Sequence, residues 1–199
     1  MKQLFYFAIL SFFIFPQVNA QDMASTLPYQ TIPEYPAKYN AATVTARMID
    51  GLGYRYYWAT EELRTEDLTY RPSLESRTTE ETLEHIYSLS NTILNAVLNK
   101  ANIRPSEENE LSFEEKRKAT LTNFKADSDM LRQKKNKHLK KMNIAFQRGE
   151  KKSEFPFWHN FNGPIADALW HTGQIVSFRR AAGNPINPKI NVFTGKTRE

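Results

Sequence analysis

Apolar side chains recur every three or four residues in four separate stretches of the chain. That spacing places them on one face of a helix, so each stretch predicts a helix with one buried side. The predicted helices cover residues 39–63, 78–98, 112–131 and 162–183. Four helices of this length pack most simply as an all-α four-helix bundle.

Capping signals mark the starts of the second and third predicted helices. Thr78 with Glu81, and Ser112 with Glu115, have the spacing of a capping box. In that motif each of the two side chains accepts a hydrogen bond from the backbone N–H of the other residue. We therefore expect the second helix to follow Thr78 and the third to follow Ser112.

The last predicted helix has signals at both ends. Asn162 is a suitable N-cap, Pro164 suits the first turn, and Gly183 suits the position after the helix. Arg179 and Arg180 lie in the final turn, where their charge complements the helix dipole. They could instead bind an anionic substrate, but a role in capping the helix end is the simpler interpretation.

The segments between the helices carry weaker signals. Residues 139–146 fit either a helical continuation or an extended segment, and residues 154–161 are predicted to form an aromatic loop. No segment alternates apolar and polar residues on either side of a hairpin turn. The sequence therefore predicts no β-sheet.

The N-terminal pattern predicts a cleaved secretory signal peptide over residues 1–20. Lys2 is followed by an apolar run from Leu4 to Phe15, and a small-residue pattern ends at Ala20. The run is shorter than the roughly 20 residues needed to span a bilayer, so no membrane span is expected. We expect cleavage after Ala20, export across the inner membrane and a periplasmic location.

The rest of the chain divides into three parts. Residues 21–38 are polar and proline-containing, which predicts an extended leader without a packed core. Residues 39–187 hold the predicted bundle, and residues 188–199 form a C-terminal tail. The chain has no cysteine, which excludes disulfides and thiolate metal ligands, so the core alone must stabilise the domain.

The charge distribution adds one candidate binding surface. The formal net charge is +5, and much of the excess lies between Arg132 and Lys141. This stretch could bind an anionic surface or nucleic acid, but a solvated helix end explains it more simply. Because export would separate the protein from intracellular nucleic acid, we expect no nucleic-acid partner.

Asp167 and His171 are four residues apart within the last predicted helix. This spacing places a carboxylate and an imidazole on one face, where both can bind one metal ion. His85 could supply a third ligand from the second helix, leaving coordination positions for water or substrate. Gln174 could orient a ligand or hydrogen-bond a water on the metal.

Simpler interpretations of these residues stay open. An Asp–His pair at this spacing is common by chance and needs no metal, since it also makes an ordinary hydrogen bond. His159, just before the last helix, could be a further ligand or a proton shuttle. A loop histidine packed on aromatic side chains is the simpler interpretation of His159.

The last predicted helix resembles that of the DinB-like/YfiT-like superfamily of metal-binding four-helix bundles. Members typically carry a histidine, three other residues and then His-x-Gly-Gln, with one more histidine near the start of the second helix. The matching segment runs from Asp167 to Gln174 with His171 in place, and His85 lies on the second helix. The resemblance extends over residues 39–187 and implies that these two histidines and Asp167 bind a divalent metal.

The chain departs from the family at Asp167, where members usually have histidine. Aspartate binds zinc, nickel, iron and manganese, but its charge changes the metal preference. We expect zinc or nickel, with iron or manganese as alternatives. The resemblance implies a metal-dependent hydrolase or thiol transferase acting on an unidentified small molecule. A non-catalytic metal- or ligand-binding module is the alternative, and a homodimer is left open.

Overall fold

The computed structural model describes residues 26–105 and 111–199. Its helices are α1 (Ala41–Thr60), α2 (Thr65–Thr69), α3 (Thr79–Leu98), α4 (Phe113–Arg132), α5 (Asn136–Leu139) and α6 (Ala166–Ala181). Helix α4 packs against both α1 and α3, and α6 packs against the same two helices. The prediction of a mostly helical fold is confirmed, whereas the predicted signal peptide lies outside the described residues.

The four long helices share one apolar core. Tyr56 of α1, Ile86 of α3, Phe124 of α4 and Ile175 of α6 are all completely buried. The rings of Tyr56 and Phe124 meet edge to face with their centroids 6.1 Å apart. Burying each such side chain contributes about 1.5–3 kcal/mol, so this core holds α3 firmly beside α6.

The second and third long helices begin at the predicted capping boxes. The backbone N–H of Glu81 donates to Thr78 Oγ1 at 3.1 Å, and the N–H of Thr78 donates to the Glu81 carboxylate at 2.7 Å. Ser112 and Glu115 make the same reciprocal pair before α4. Because these bonds satisfy otherwise unpaired N–H groups, they fix where each helix starts.

Helix α6 ends as predicted but begins differently. Gly183 has φ +80°, and the N–H of Asn184 donates to the Arg179 carbonyl at 2.8 Å, which is a glycine-stopped helix end. At the other end, a π-helical turn (Phe161–Ile165) precedes α6, so Asn162 does not cap it. Pro164 inside the turn has no N–H to donate and interrupts the regular hydrogen-bond ladder.

A three-stranded sheet corrects the all-α prediction. Strand β1 (Ala101–Ile103) pairs parallel to β2 (Asn143–Arg148), which pairs antiparallel to β3 (Lys151–Pro156). The β2–β3 turn contains Gly149 at φ +56°. All of β3 is exposed, so it lacks the alternation of a half-buried strand. The predicted aromatic loop at 154–161 is wrong in its first residues, which belong to β3.

The described part of the predicted leader, residues 26–38, consists of turns and irregular segments and packs against the domain core. Tyr29 is buried, and its ring packs directly against Gly53 of α1. A Cβ atom at position 53 would lie only 2.5 Å from the ring carbons of Tyr29. A glycine is therefore needed in α1 at this close approach. The tail forms a small hairpin, β4 (Ile190–Asn191) and β5 (Lys196–Thr197), and the N–H of Ile32 donates to the Gly195 carbonyl at 2.9 Å. Within the described residues, no helix is both long and apolar enough to cross a membrane.

Candidate metal centre

Helices α3 and α6 bring the three predicted ligands together. His85 Nε2 lies 3.1 Å from Asp167 Oδ2, and His171 Nε2 lies 3.3 Å from Asp167 Oδ1. The two imidazole rings are nearly perpendicular, with centroids 4.7 Å apart. One ligand atom from each of the three residues lies within 4.8 Å of the others, so the group could hold a metal ion.

The separations fit a small divalent cation. Donor atoms about 2.1 Å from a tetrahedrally coordinated ion lie about 3.4 Å from one another. The two Asp–His distances, 3.1 and 3.3 Å, are already close to that value. The two Asp–His distances involve different carboxylate oxygens, and one donor atom from each residue lies within 4.8 Å of the others, so the side chains must draw closer to reach one ion.

Gln174 orients the imidazole of His171. The amide oxygen of Gln174 lies 2.7 Å from His171 Nδ1, so Nδ1–H donates to it. The lone pair of the neutral ring is then on Nε2, which faces Asp167. A lone pair and a carboxylate oxygen facing each other repel unless a proton or a cation lies between them. An orienting role for Gln174, as the sequence predicted, needs its contact with His171 Nδ1.

The electrostatic environment of His85 favours its neutral form. Burial lowers the pKa of His85 because the imidazolium loses hydration, and the positive charge of Arg77 acts in the same direction. The hydrogen bond and charge of Asp167 oppose this shift without reversing it. A neutral imidazole is the form that binds metal, so His85 is suited to that role.

The group is partly open to solvent. The side chains are 30% exposed at His85, 37% at Asp167 and 15% at His171. A metal that serves only structure usually has its coordination sphere filled by protein, whereas a catalytic metal keeps a position for water or substrate. The partial exposure of these three side chains fits a metal that keeps a coordination position for water or substrate.

Comparisons with family models, with curated proteins and with solved structures found no match to this chain. The resemblance to DinB-like bundles therefore rests on the motif residues alone. The geometry of the three side chains is an observation independent of that resemblance.

The other candidate residues lie outside the group. The His159 ring packs on Phe155, with centroids 5.9 Å apart, as the simpler interpretation expected. The buried Arg179 donates to main-chain carbonyls at the end of α1. Sequence reasoning missed Arg77, whose charge acts on His85. Arg77 lies in the loop just before α3, where helical spacing gave no signal of its approach to His85.

Proposed function

We propose that this chain is a DinB-like protein that binds a divalent metal, zinc or nickel, through His85, Asp167 and His171. The observation that carries the proposal is the orientation of His171, whose Nδ1 is taken by Gln174 and whose Nε2 faces Asp167. A cation between these groups removes the repulsion between the lone pair and the carboxylate. The motif residues from Asp167 to Gln174 support membership of the family.

We further propose that the metal serves catalysis, as a hydrolase or transferase acting on a small molecule. A divalent ion held here supplies Lewis-acid activation. Asp167 contributes one negative charge and the histidines none, so the site keeps a net positive charge that attracts polar or anionic substrate groups. Partial exposure of all three side chains leaves room for such a group. Export to the periplasm remains a proposal from the N-terminal pattern.

Replacing His171 with alanine is expected to abolish metal binding. The purified wild-type chain should carry about one zinc or nickel ion, because three protein ligands hold it. His171→Ala leaves two ligands, and we expect at least a 100-fold weaker affinity. Elemental analysis and a competition titration with a chromogenic chelator measure both quantities.

Two further variants make this test specific. His159→Ala removes a histidine outside the group and should leave the metal content unchanged. Gln174→Leu keeps all three ligands but frees the His171 ring, so we expect an affinity about 10- to 100-fold lower. Equal metal content in wild type and His171→Ala would overturn the proposed site.

Acidification is expected to release the metal, with a pH dependence set by His85. The imidazole must be neutral to bind, so below its pKa each pH unit weakens the apparent affinity by about tenfold. Because the pKa of His85 is lowered, binding persists to more acid pH than at an exposed histidine. Arg77→Gln removes a charge that repels the proton, so it should raise the pKa of the metal-free His85 imidazole, which NMR titration measures. A zinc affinity that stays constant from pH 7 to pH 4 would contradict this assignment.

A non-catalytic binding module is the second candidate. Asp167 uses a different oxygen for each histidine, and this arrangement ties α3 to α6 whether or not turnover occurs. The two candidates differ in ligand exchange at the metal. Cobalt-substituted protein should change its visible spectrum on adding azide if a coordination position is open, and should not change if the sphere is closed.

A further inference from the structure

An apolar hollow lies beside the start of α1, and none of its lining residues belongs to the metal-binding group. It has a volume of about 500 Å³, and its apolar lining includes Leu139, Met142, Pro156, Phe157, Trp158 and Phe161. Small-molecule pockets in proteins commonly have volumes of about 300–1,000 Å³. The hollow is therefore large enough to take a ligand with a sizeable apolar part.

Aromatic side chains form one wall of this hollow. The Phe161 ring meets the Phe157 ring edge to face at 5.9 Å and the Trp158 ring at 6.0 Å. Trp158 is nevertheless 78% exposed, and Lys140 and Asn143 also line the hollow. A large exposed aromatic side chain beside an apolar hollow is characteristic of a surface that binds something.

A second hollow, of about 440 Å³, adjoins the first through Asn136, which lines both. Four cationic side chains line it: Lys38, Arg132, Lys134 and Lys135. Among the described residues that line either hollow, none is acidic. The start of α1, where the helix dipole is positive, lies between the two hollows and adds to the positive potential.

The three lysines are available to an external anion. Arg132 already binds the buried Asp50 carboxylate. Within the described part of the chain, no carboxylate lies within 4.0 Å of Lys38, Lys134 or Lys135. The basic stretch noted in the sequence thus becomes one half of a concave surface whose other half is apolar.

We propose that the two hollows together bind a single-chain amphiphile with an anionic head group. The hydrocarbon chain would lie along Phe157, Trp158 and Phe161, where burial of its surface is favourable. The head group, a carboxylate or a phosphate, would lie among Lys38, Lys134 and Lys135. This site is separate from the metal-binding group and does not depend on the function proposed for it.

Titration with dodecyl phosphate and with dodecanoate, below their micelle concentrations, tests the head-group half. The full chain should bind both, and calorimetry gives the affinities. Lys134→Gln with Lys135→Gln should weaken binding at least tenfold. Lys151→Gln with Lys152→Gln makes the same charge change on the β2–β3 hairpin and should alter binding less than twofold. If both double variants lost the same affinity for the amphiphiles, net charge alone would explain the effect, and the proposed site would be overturned.

Two tryptophan variants test the apolar half. Trp158→Ala should weaken binding about tenfold, whereas Trp170→Ala, which removes a similarly exposed tryptophan from α6, should not. Binding should be unchanged in His171→Ala, which separates this result from the metal proposal. No binding of either amphiphile, or binding only to vesicles containing anionic lipid, would overturn the proposal. The vesicle result would instead assign the surface to a membrane.

Discussion

Replacing Arg179 with methionine is expected to lower the free energy of unfolding by about 3–4 kcal/mol. Arg179 is only 3% exposed, and its guanidinium donates to the main-chain carbonyls of Ala59 at 3.1 Å and Glu61 at 2.8 Å. It also donates to the Asn184 carbonyl at 2.7 Å. Methionine keeps the apolar contacts but leaves the buried Ala59 carbonyl and the partly buried Glu61 and Asn184 carbonyls without these donors, and unpaired buried acceptors are costly.

Arg180 provides a matched control on the same helix turn. It has the same chemistry but is exposed, so Arg180→Met should change the unfolding free energy by less than about 0.5 kcal/mol. Urea unfolding followed by circular dichroism measures both variants. Similar losses for the two would mean that charge at the end of α6, rather than the bonds to α1, stabilises the fold.

This role of Arg179 shows what the helix pattern could and could not predict. Its place in the final turn correctly suggested a role at a helix end. The carbonyls that it binds, however, belong mainly to the end of α1, more than a hundred residues away in sequence. Local spacing describes one helix at a time, whereas this contact depends on how two helices are packed.

The helix starts were predictable because their signals are local. Thr78 and Ser112 each bond a residue three positions later, so the capping boxes can be read without knowing the fold. The β2–β3 hairpin was not predictable, because it carries no comparable local signal. Strand β3 is wholly exposed, so its sequence shows no alternation of apolar and polar residues. Its pairing with β2 depends on the tertiary structure.

The sequence provides stronger evidence for one part of the candidate site than for the other. The Asp167–His171 pair follows from helical spacing alone. The approach of His85, 82 residues before Asp167, depended on the bundle expectation and the family resemblance. The π-helical turn before α6 had no sequence signal beyond Pro164, although it sets where Asp167 enters the helix.

Replacing Asp127 with asparagine is expected to stabilise the protein at neutral pH, by on the order of 1–3 kcal/mol. Asp127 lies on α4 and is completely buried. Among the described residues, neither of its carboxylate oxygens has a hydrogen-bond partner. The neighbouring Asp50 differs, since it accepts bonds from Tyr29 and Ser128 and pairs with Arg132.

The stabilisation should depend on pH with a definite sign. Burial, with a smaller contribution from the Asp50 charge, raises the pKa of Asp127 well above its ordinary value. Above the ordinary aspartate pKa of about 3.9, the unfolded chain loses this proton while the folded chain keeps it. Each pH unit in that window therefore destabilises the wild type by about 1.4 kcal/mol, until the folded-state pKa is passed.

Asparagine cannot ionise in either state, so Asp127→Asn removes this pH-dependent loss. Its advantage over the wild type should be large at pH 7 and should disappear near pH 3.5, where the wild-type carboxyl is protonated in both states. Asp129→Asn, on the same helix with a side chain 48% exposed, should show no comparable gain. If Asp127→Asn were destabilising at pH 7, the carboxylate would have to be ionised and bound to a cationic partner in the folded protein. Urea unfolding of the three proteins at pH 3.5, 5 and 7 decides between these outcomes, because only a buried neutral acid makes the gain grow with pH.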